Sequence, residues 1–218
     1  MTGLSAREIG LRRDSKIIET IEKVIALTAE QVRVMFFPYE QGLRKAQERL
    51  RKLYKSKKLN RTKLEDNSYV YYIGKKRGDF EHLVGTNWFY VWFISRKCWW
   101  EEIERWDLEQ DYGILRCDGF MAVKNTVTEE HNFYFVEYDR SNNKFDKVRK
   151  YVEFYEQEKY EGFWWVEYTK KFPVINIITT DEQRLQVIQD AIKEENTAGL
   201  RFKTCLVDEM KEVRRSAS

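Results

Sequence analysis

The chain has 218 residues and a mass of 26.5 kDa, with 42% hydrophobic and 34% charged residues. That suits one large domain or two small ones and excludes a disordered chain. Its longest apolar run, Trp88 to Ile94, falls far short of the roughly 20 residues a membrane helix needs, and the polar stretch Met1 to Arg13 has no signal-peptide core.

A cytoplasmic protein with no membrane partner is therefore expected. Three scattered cysteines, Cys98, Cys117 and Cys205, rule out a disulfide framework and a cysteine-rich zinc site. The two histidines, His82 and His131, read as surface or hydrogen-bonded residues rather than ligands.

Ile17, Ile18, Ile21, Val24 and Ile25 recur at helical spacing and predict a helix over 15–26. Thr28 with Gln31 three residues on is a capping-box pattern for a second helix, which Pro38 ends. A third helix is predicted over about 41–56, with Leu43, Ala46, Leu50, Leu53 and Tyr54 on one side. Gln41, Arg44, Lys45, Glu48, Lys52 and Lys55 fall on the other. Leu59 plugs its end. Residues 60–64 and 69–73 then read as a hairpin around Glu65 to Ser68.

The formal charge of +3 hides a segregation. Residues 41–63 hold ten basic groups against Glu48 alone, a net +9, which leaves −6 for the rest of the chain. Solvated helix faces usually mix signs at i,i+4. This block does so hardly at all, and it reads as a footprint for a polyanion, nucleic acid being the commonest. Three short helices and a hairpin form the pattern of a winged helix-turn-helix. In that motif the third helix enters the major groove and the hairpin touches the flanking backbone. The expected DNA-binding residues are Gln41, Arg44, Lys45, Arg49, Lys52 and Lys55 on the helix. Beyond it come Lys57, Lys58, Arg61 and Lys63.

Gly74 to Gly78 marks a turn and an expected boundary, giving domains 1–78 and 79–208 and a frayed tail, 209–218. The second domain reads as helix 80–95, strands 99–106, 114–123 and 132–138, helix 144–160, strand 173–179, helix 181–195 and strand 202–207. That is an α-β-β-β-α-β-α-β order, and the whole chain is an α/β protein. The pairs Trp99-Trp100 and Trp164-Trp165 each suggest one ring in a core and one at an edge. An outward tryptophan points to a homodimer through this domain.

LTAEQVRVMFF, GLRKAQERLRKLYKSKKLNR and YVYYI resemble the N-terminal winged helix of the plasmid replication-relaxation protein family. CDGFMAV, FYFVEYDR, KVRKYVEFY and FPVINIITTDEQRL resemble its second half. The resemblance spans residues 17 to about 195 and implies a DNA-binding accessory of plasmids and other mobile elements, not a defined reaction.

The second half also resembles the core of PD-(D/E)xK nucleases, which implies a restriction-endonuclease-like mixed sheet. The matching acids are Asp118 and Glu137, and Asp139 stands where the family has lysine. Three carboxylates could hold Mg²⁺, but an inactive domain is expected, with Asp118 in a turn and Glu137 or Asp139 paired to a neighbouring base or capping the helix near residue 144. No cofactor or metal is expected, since no phosphate loop, Ser-His-Asp set or zinc set is visible.

The leading expectation is a double-stranded DNA-binding accessory protein acting at an origin of replication or transfer or at a promoter. The alternatives are a metal-dependent nuclease and an adaptor that recruits a relaxase or replication initiator.

Overall fold

The first helix begins well before its apolar spacing does. The computed structural model describes residues 5–141 and 143–212, and α1 (Ala6–Val24) opens on a capping box between Ser5 and Glu8. Only Ile17, Ile21 and Val24, in its second half, are buried, so the opening turns carry no hydrophobic signature. β1 (Ala26–Thr28) is a second element the spacing does not reveal, because three buried residues between two helices show no period. Thr28 then starts α2 (Ala29–Phe36) with the expected capping box to Gln31.

Pro38 lies in the turn to α3 (Gly42–Lys55). Gly42 is required in that turn: a Cβ would sit 1.8 Å from the Phe37 carbonyl oxygen. α3 buries Gly42, Ala46, Leu50 and Leu53. Leu43 and Tyr54, expected on the apolar side, are each 38% exposed and lie on its flanks. β2 (Asn60–Lys63) and β3 (Tyr69–Tyr72) form the hairpin, and β1 pairs with the free side of β3 to give an antiparallel sheet in the order β1-β3-β2.

Compactness divides the chain after Arg96, not at Gly78. α4 (Phe80–Arg96) joins the first unit because buried polar groups fasten it there. Gln31 Nε2 donates to the Val84 carbonyl (2.8 Å), and Asn87 Nδ2 donates to the carbonyls of Val24 and Ala26 (2.8 and 2.9 Å). The latter two flank Ile25, where the chain leaves α1 at φ 69°. The Phe80 ring packs 4.7 Å from Tyr72. The chain returns to this unit at Lys211, whose carbonyl accepts from Arg33 (3.1 Å).

The second unit, Lys97–Met210, is built on one mixed five-stranded sheet. β4 (Glu101–Asp111), β5 (Arg116–Asn125) and β6 (His131–Asp139) form an antiparallel meander. α5 (Lys147–Glu156) and the 3-10 segment Trp164–Tyr168 lead to β7 (Val174–Thr179), which pairs parallel to β6. α6 (Glu182–Glu195) then crosses to β8 (Phe202–Leu206), again parallel. The molecule is thus a mixed α/β protein.

Both crossover connections carry a helix, as parallel neighbours require. Phe120, Phe135, Tyr151, Phe154 and Trp165 form the centre of this unit's core. β4 is an edge strand. It carries Glu101, Glu102, Glu104, Asp107, Glu109 and Asp111, and its register shifts between Ile103 and Arg105. The chain continues into α7 (Val207–Lys211), so the first residues of the expected tail are helical and 213–218 lie outside the described residues. No helix among the described residues is long and apolar enough to cross a membrane.

Candidate nucleic-acid interface and the carboxylate–lysine cluster

The pattern of buried residues on α3 decides which of its charges meet solvent. With Gly42, Ala46, Leu50 and Leu53 inward, a 100° step per residue puts Arg44, Glu48, Arg51 and Lys55 at the middle of the outer face, with Gln47 on its flank. All five are exposed. Gln47 and Arg51 were absent from the expected set. The helical period identifies them once Leu43 and Tyr54 are removed from the apolar side. Gln41 is exposed at the start of the helix.

Glu48 accepts from Lys45 (3.2 Å) and Lys52 (3.1 Å). Lys52 first, and then Lys45, hold its carboxyl below the usual value. Arg49 differs from its neighbours: its guanidinium is turned inward onto the Asp14 carboxylate (Nε to Oδ1 2.9 Å) and the Gly10 carbonyl (3.4 Å). It ties α3 to α1 and leaves the outer face. Arg44, Arg51, Lys55, Lys57, Lys58 and Lys63 have no acidic partner among the described residues.

The end of α3 is a Schellman turn. Lys58 N–H donates to Leu53 O and Lys57 N–H to Tyr54 O (both 3.0 Å), and Lys57 sits at φ 60°. Leu59 is buried beneath it, as expected of the plug. This sharp reversal presents Lys57 and Lys58 at the helix end. The hairpin that follows carries Lys63, exposed, and Arg61, whose guanidinium lies between the rings of Tyr54 and Tyr69, 4.3 and 4.2 Å from their centroids.

The second cluster lies on the sheet of the other unit. The β5–β6 ladder reaches Gly119 opposite Val136. Just beyond it the Asp118 carboxylate accepts from the Tyr138 amide (2.7 Å), in place of a ladder carbonyl. Asp118 is therefore in a strand and half-buried, not in a turn. Glu137 is 1% exposed. Tyr151 donates its hydroxyl to Oε1 (2.7 Å), and the Lys147 ammonium sits 2.7 Å from Oε2. Lys147 also donates to the Arg116 carbonyl (2.6 Å).

Burial, with the nearby Asp118 charge, pushes the Glu137 carboxyl up to about 8, against the opposing pull of Lys147 and Tyr151. Burial works against the charge on Lys147, but the Glu137 and Asp118 carboxylates outweigh it and raise its pKa. Burial also raises the Cys117 thiol and takes Cys205 up to about 12, so neither is a ready nucleophile.

Asp139 does not join this cluster. Arg184, near the start of α6, donates from Nε to its Oδ2 (3.0 Å), and the Ser141 amide donates to Oδ1 (2.7 Å). The nuclease resemblance grouped Asp118, Glu137 and Asp139. The fold instead groups Asp118, Glu137, Lys147 and Tyr151. Lys147 escapes a strand motif because it comes from the helix after the strand; a lysine and a tyrosine four residues apart on one helix face were the only signal.

Among the described residues, no group of three or more His, Cys, Asp or Glu could hold a metal ion. With two carboxylates, one already held by Lys147, the cluster does not fit a divalent cation. His131 Nε2 lies 3.0 Å from Glu104 and its ring 4.5 Å from Tyr168. Of the tryptophan pairs, Trp165 is buried with Trp164 packed at the core's edge, as expected, whereas Trp99 and Trp100 are 79% and 37% exposed. No protein-family model matches this chain, and no curated protein is significantly similar to it.

Proposed function

We propose that the chain is a double-stranded DNA-binding protein whose first unit is a winged helix-turn-helix. In this reading it serves a plasmid or other mobile element as a cytoplasmic accessory of the replication-relaxation type, at an origin or a promoter. The observation that carries the reading is the outer face of α3, where Arg44, Arg51 and Lys55 stand exposed without acidic partners among the described residues. Gln41 and Gln47 lie beside them for base edges. The β1-β3-β2 sheet, with its hairpin next to α3, supports the assignment of β2–β3 as the wing. Lys57, Lys58 and Lys63 would take phosphates, while Arg49 drops out of the contact set because it is spent on Asp14.

The test is the salt dependence of duplex binding. Log affinity should fall with log salt by about 0.9 per phosphate neutralised, and Arg51→Ala should lessen the slope by one contact. A flat dependence, or no binding at low salt, would sink the reading. Recruitment of a relaxase or initiator, and a homodimer through the exposed Trp99 region, belong to the same proposal. The dimer would be read by sedimentation of wild type against Trp99→Ser.

A nuclease is the second reading, and one observation favours it: Lys147 brings to Glu137 the lysine that the strand lacks. The carboxylate set does not fit the metal such a reaction uses. The expected outcome is therefore no cleavage of supercoiled DNA in Mg²⁺ or Mn²⁺. Cleavage lost in both Asp118→Asn and Lys147→Met would reverse the ranking.

A further inference from the structure

Arg61 was expected to touch the DNA backbone from the hairpin, and its surroundings point to a further role. Its guanidinium is held between Tyr54, from the last turn of α3, and Tyr69, from β3. Its direct cross-strand partner is the buried Tyr71. One planar cation therefore joins the helix to both strands of the hairpin. Both tyrosines stay partly exposed, 38% and 36%, so the stack sits at the surface and is not buried in the core. Lys57 and Lys58 at the helix end and Lys63 on the hairpin are exposed as well.

We propose that Arg61 is a positioning residue that fixes the angle of the β2–β3 hairpin against α3, so that one duplex meets both in a single register. This rests on the DNA-binding reading. A hairpin free to swing would still find phosphates, since any orientation offers some. Only a fixed hairpin holds the base-reading side chains of α3 in register with the phosphate contacts beyond the groove. Phosphate contacts position and base contacts specify, so the stack governs specificity and hardly touches non-specific affinity. Lysine cannot replace arginine here. Its ammonium is a point charge, whereas a planar guanidinium can meet two rings at once.

The experiment uses the full chain and a duplex selected by wild type from a random pool. Binding to that site and to an unrelated duplex is measured across a salt series. Amide exchange in the hairpin is followed in the same samples without DNA. Arg61→Lys should weaken specific binding about tenfold, leave non-specific binding and the salt slope unchanged, and speed hairpin exchange. Tyr54→Ala should do the same, and Tyr54→Phe, which keeps the ring, should restore wild-type behaviour. If Arg61→Lys binds both duplexes like wild type while Arg61→Met loses one unit of slope, Arg61 is a direct phosphate contact and the proposal falls. Unchanged hairpin exchange in Arg61→Lys would also overturn it. If wild type binds no duplex at all, the DNA reading itself fails, and this proposal with it.

Discussion

The outer face of α3 and the cluster around Glu137 both set lysines beside carboxylates, and they put them to opposite uses. On α3 the charges stand in water, and a single carboxylate, Glu48, is shared by two lysines while the arginines around it are left over. Around Glu137 the carboxylate is sealed from water, one lysine is dedicated to it and a tyrosine hydroxyl occupies its other oxygen. Exposed charge contributes little to folding and is available to a partner. Sealed charge is coupled to folding and to pH. The difference teaches that a basic residue near an acid is a weak clue until its burial is known.

Breaking the sealed pair should have the largest effect. Lys147→Met strands a buried carboxylate and should cost on the order of 3 kcal/mol above pH 8, where Glu137 is ionised. The loss should shrink as pH falls through about 8 and Glu137 takes up a proton. A loss independent of pH, read by chemical denaturation, would show that Lys147 acts through packing alone. Arg49→Met comes next. It should cost about 2 kcal/mol by removing charged hydrogen bonds to Asp14, yet leave the salt slope of duplex binding unchanged; a reduced slope would return Arg49 to the outer face.

A subtler test uses protons alone. Because the Glu137 carboxyl is raised in the folded chain, the folded state holds a proton that the unfolded state has released between the ordinary carboxylate range and about pH 8. Its contribution to stability is therefore greatest at low pH and declines as pH rises through that window, by at most about 1.4 kcal/mol per pH unit. Glu137→Gln should remove that part of the slope; an unchanged slope would mean that Glu137 is ionised throughout. The smallest effect sharpens the contrast from the exposed side. Lys57→Gly should gain about 1 kcal/mol by relieving the left-handed backbone at the Schellman turn while weakening duplex binding. A stabilised protein that binds as well as wild type would remove Lys57 from the interface.

Much of this fold could be read from apolar spacing and caps. Thr28 and Gln31 announced α2, and Ala46, Leu50 and Leu53 announced the inner side of α3. The centres of β5, β6, β7 and α6 followed from their buried residues. What escaped had no period to show. The opening turns of α1 bury nothing, although Ser5 and Glu8 already spelled a cap. β1 is too short to alternate. The break after Arg96 stayed hidden because Gly74 to Gly78 does connect two elements, and the hydrogen bonds of Gln31 and Asn87 that tie α4 to the first unit have no signature in the sequence. On the candidate sites, charge counting found the right block but could not tell Arg49, turned inward, from Arg51, two residues on and exposed. Glu137 was visible as a strand acid, and Asp118 only through the nuclease resemblance. Lys147 was not, since its approach to Glu137 depends on how α5 packs across β6.

The acids on β4 have a consequence for how the protein behaves when crowded. An edge strand offers unpaired amides and carbonyls to any strand that approaches, and β4 is long enough to accept one. At neutral pH its six carboxylates repel a second copy of themselves, and the shift in register at Ile103 bends the strand away from a flat match. Both obstacles belong to the folded chain at neutral pH, and one of them is chemical. Neutralising those carboxylates with acid leaves only the bend, so concentrated solutions should turn turbid and gain cross-strand order well before the core melts.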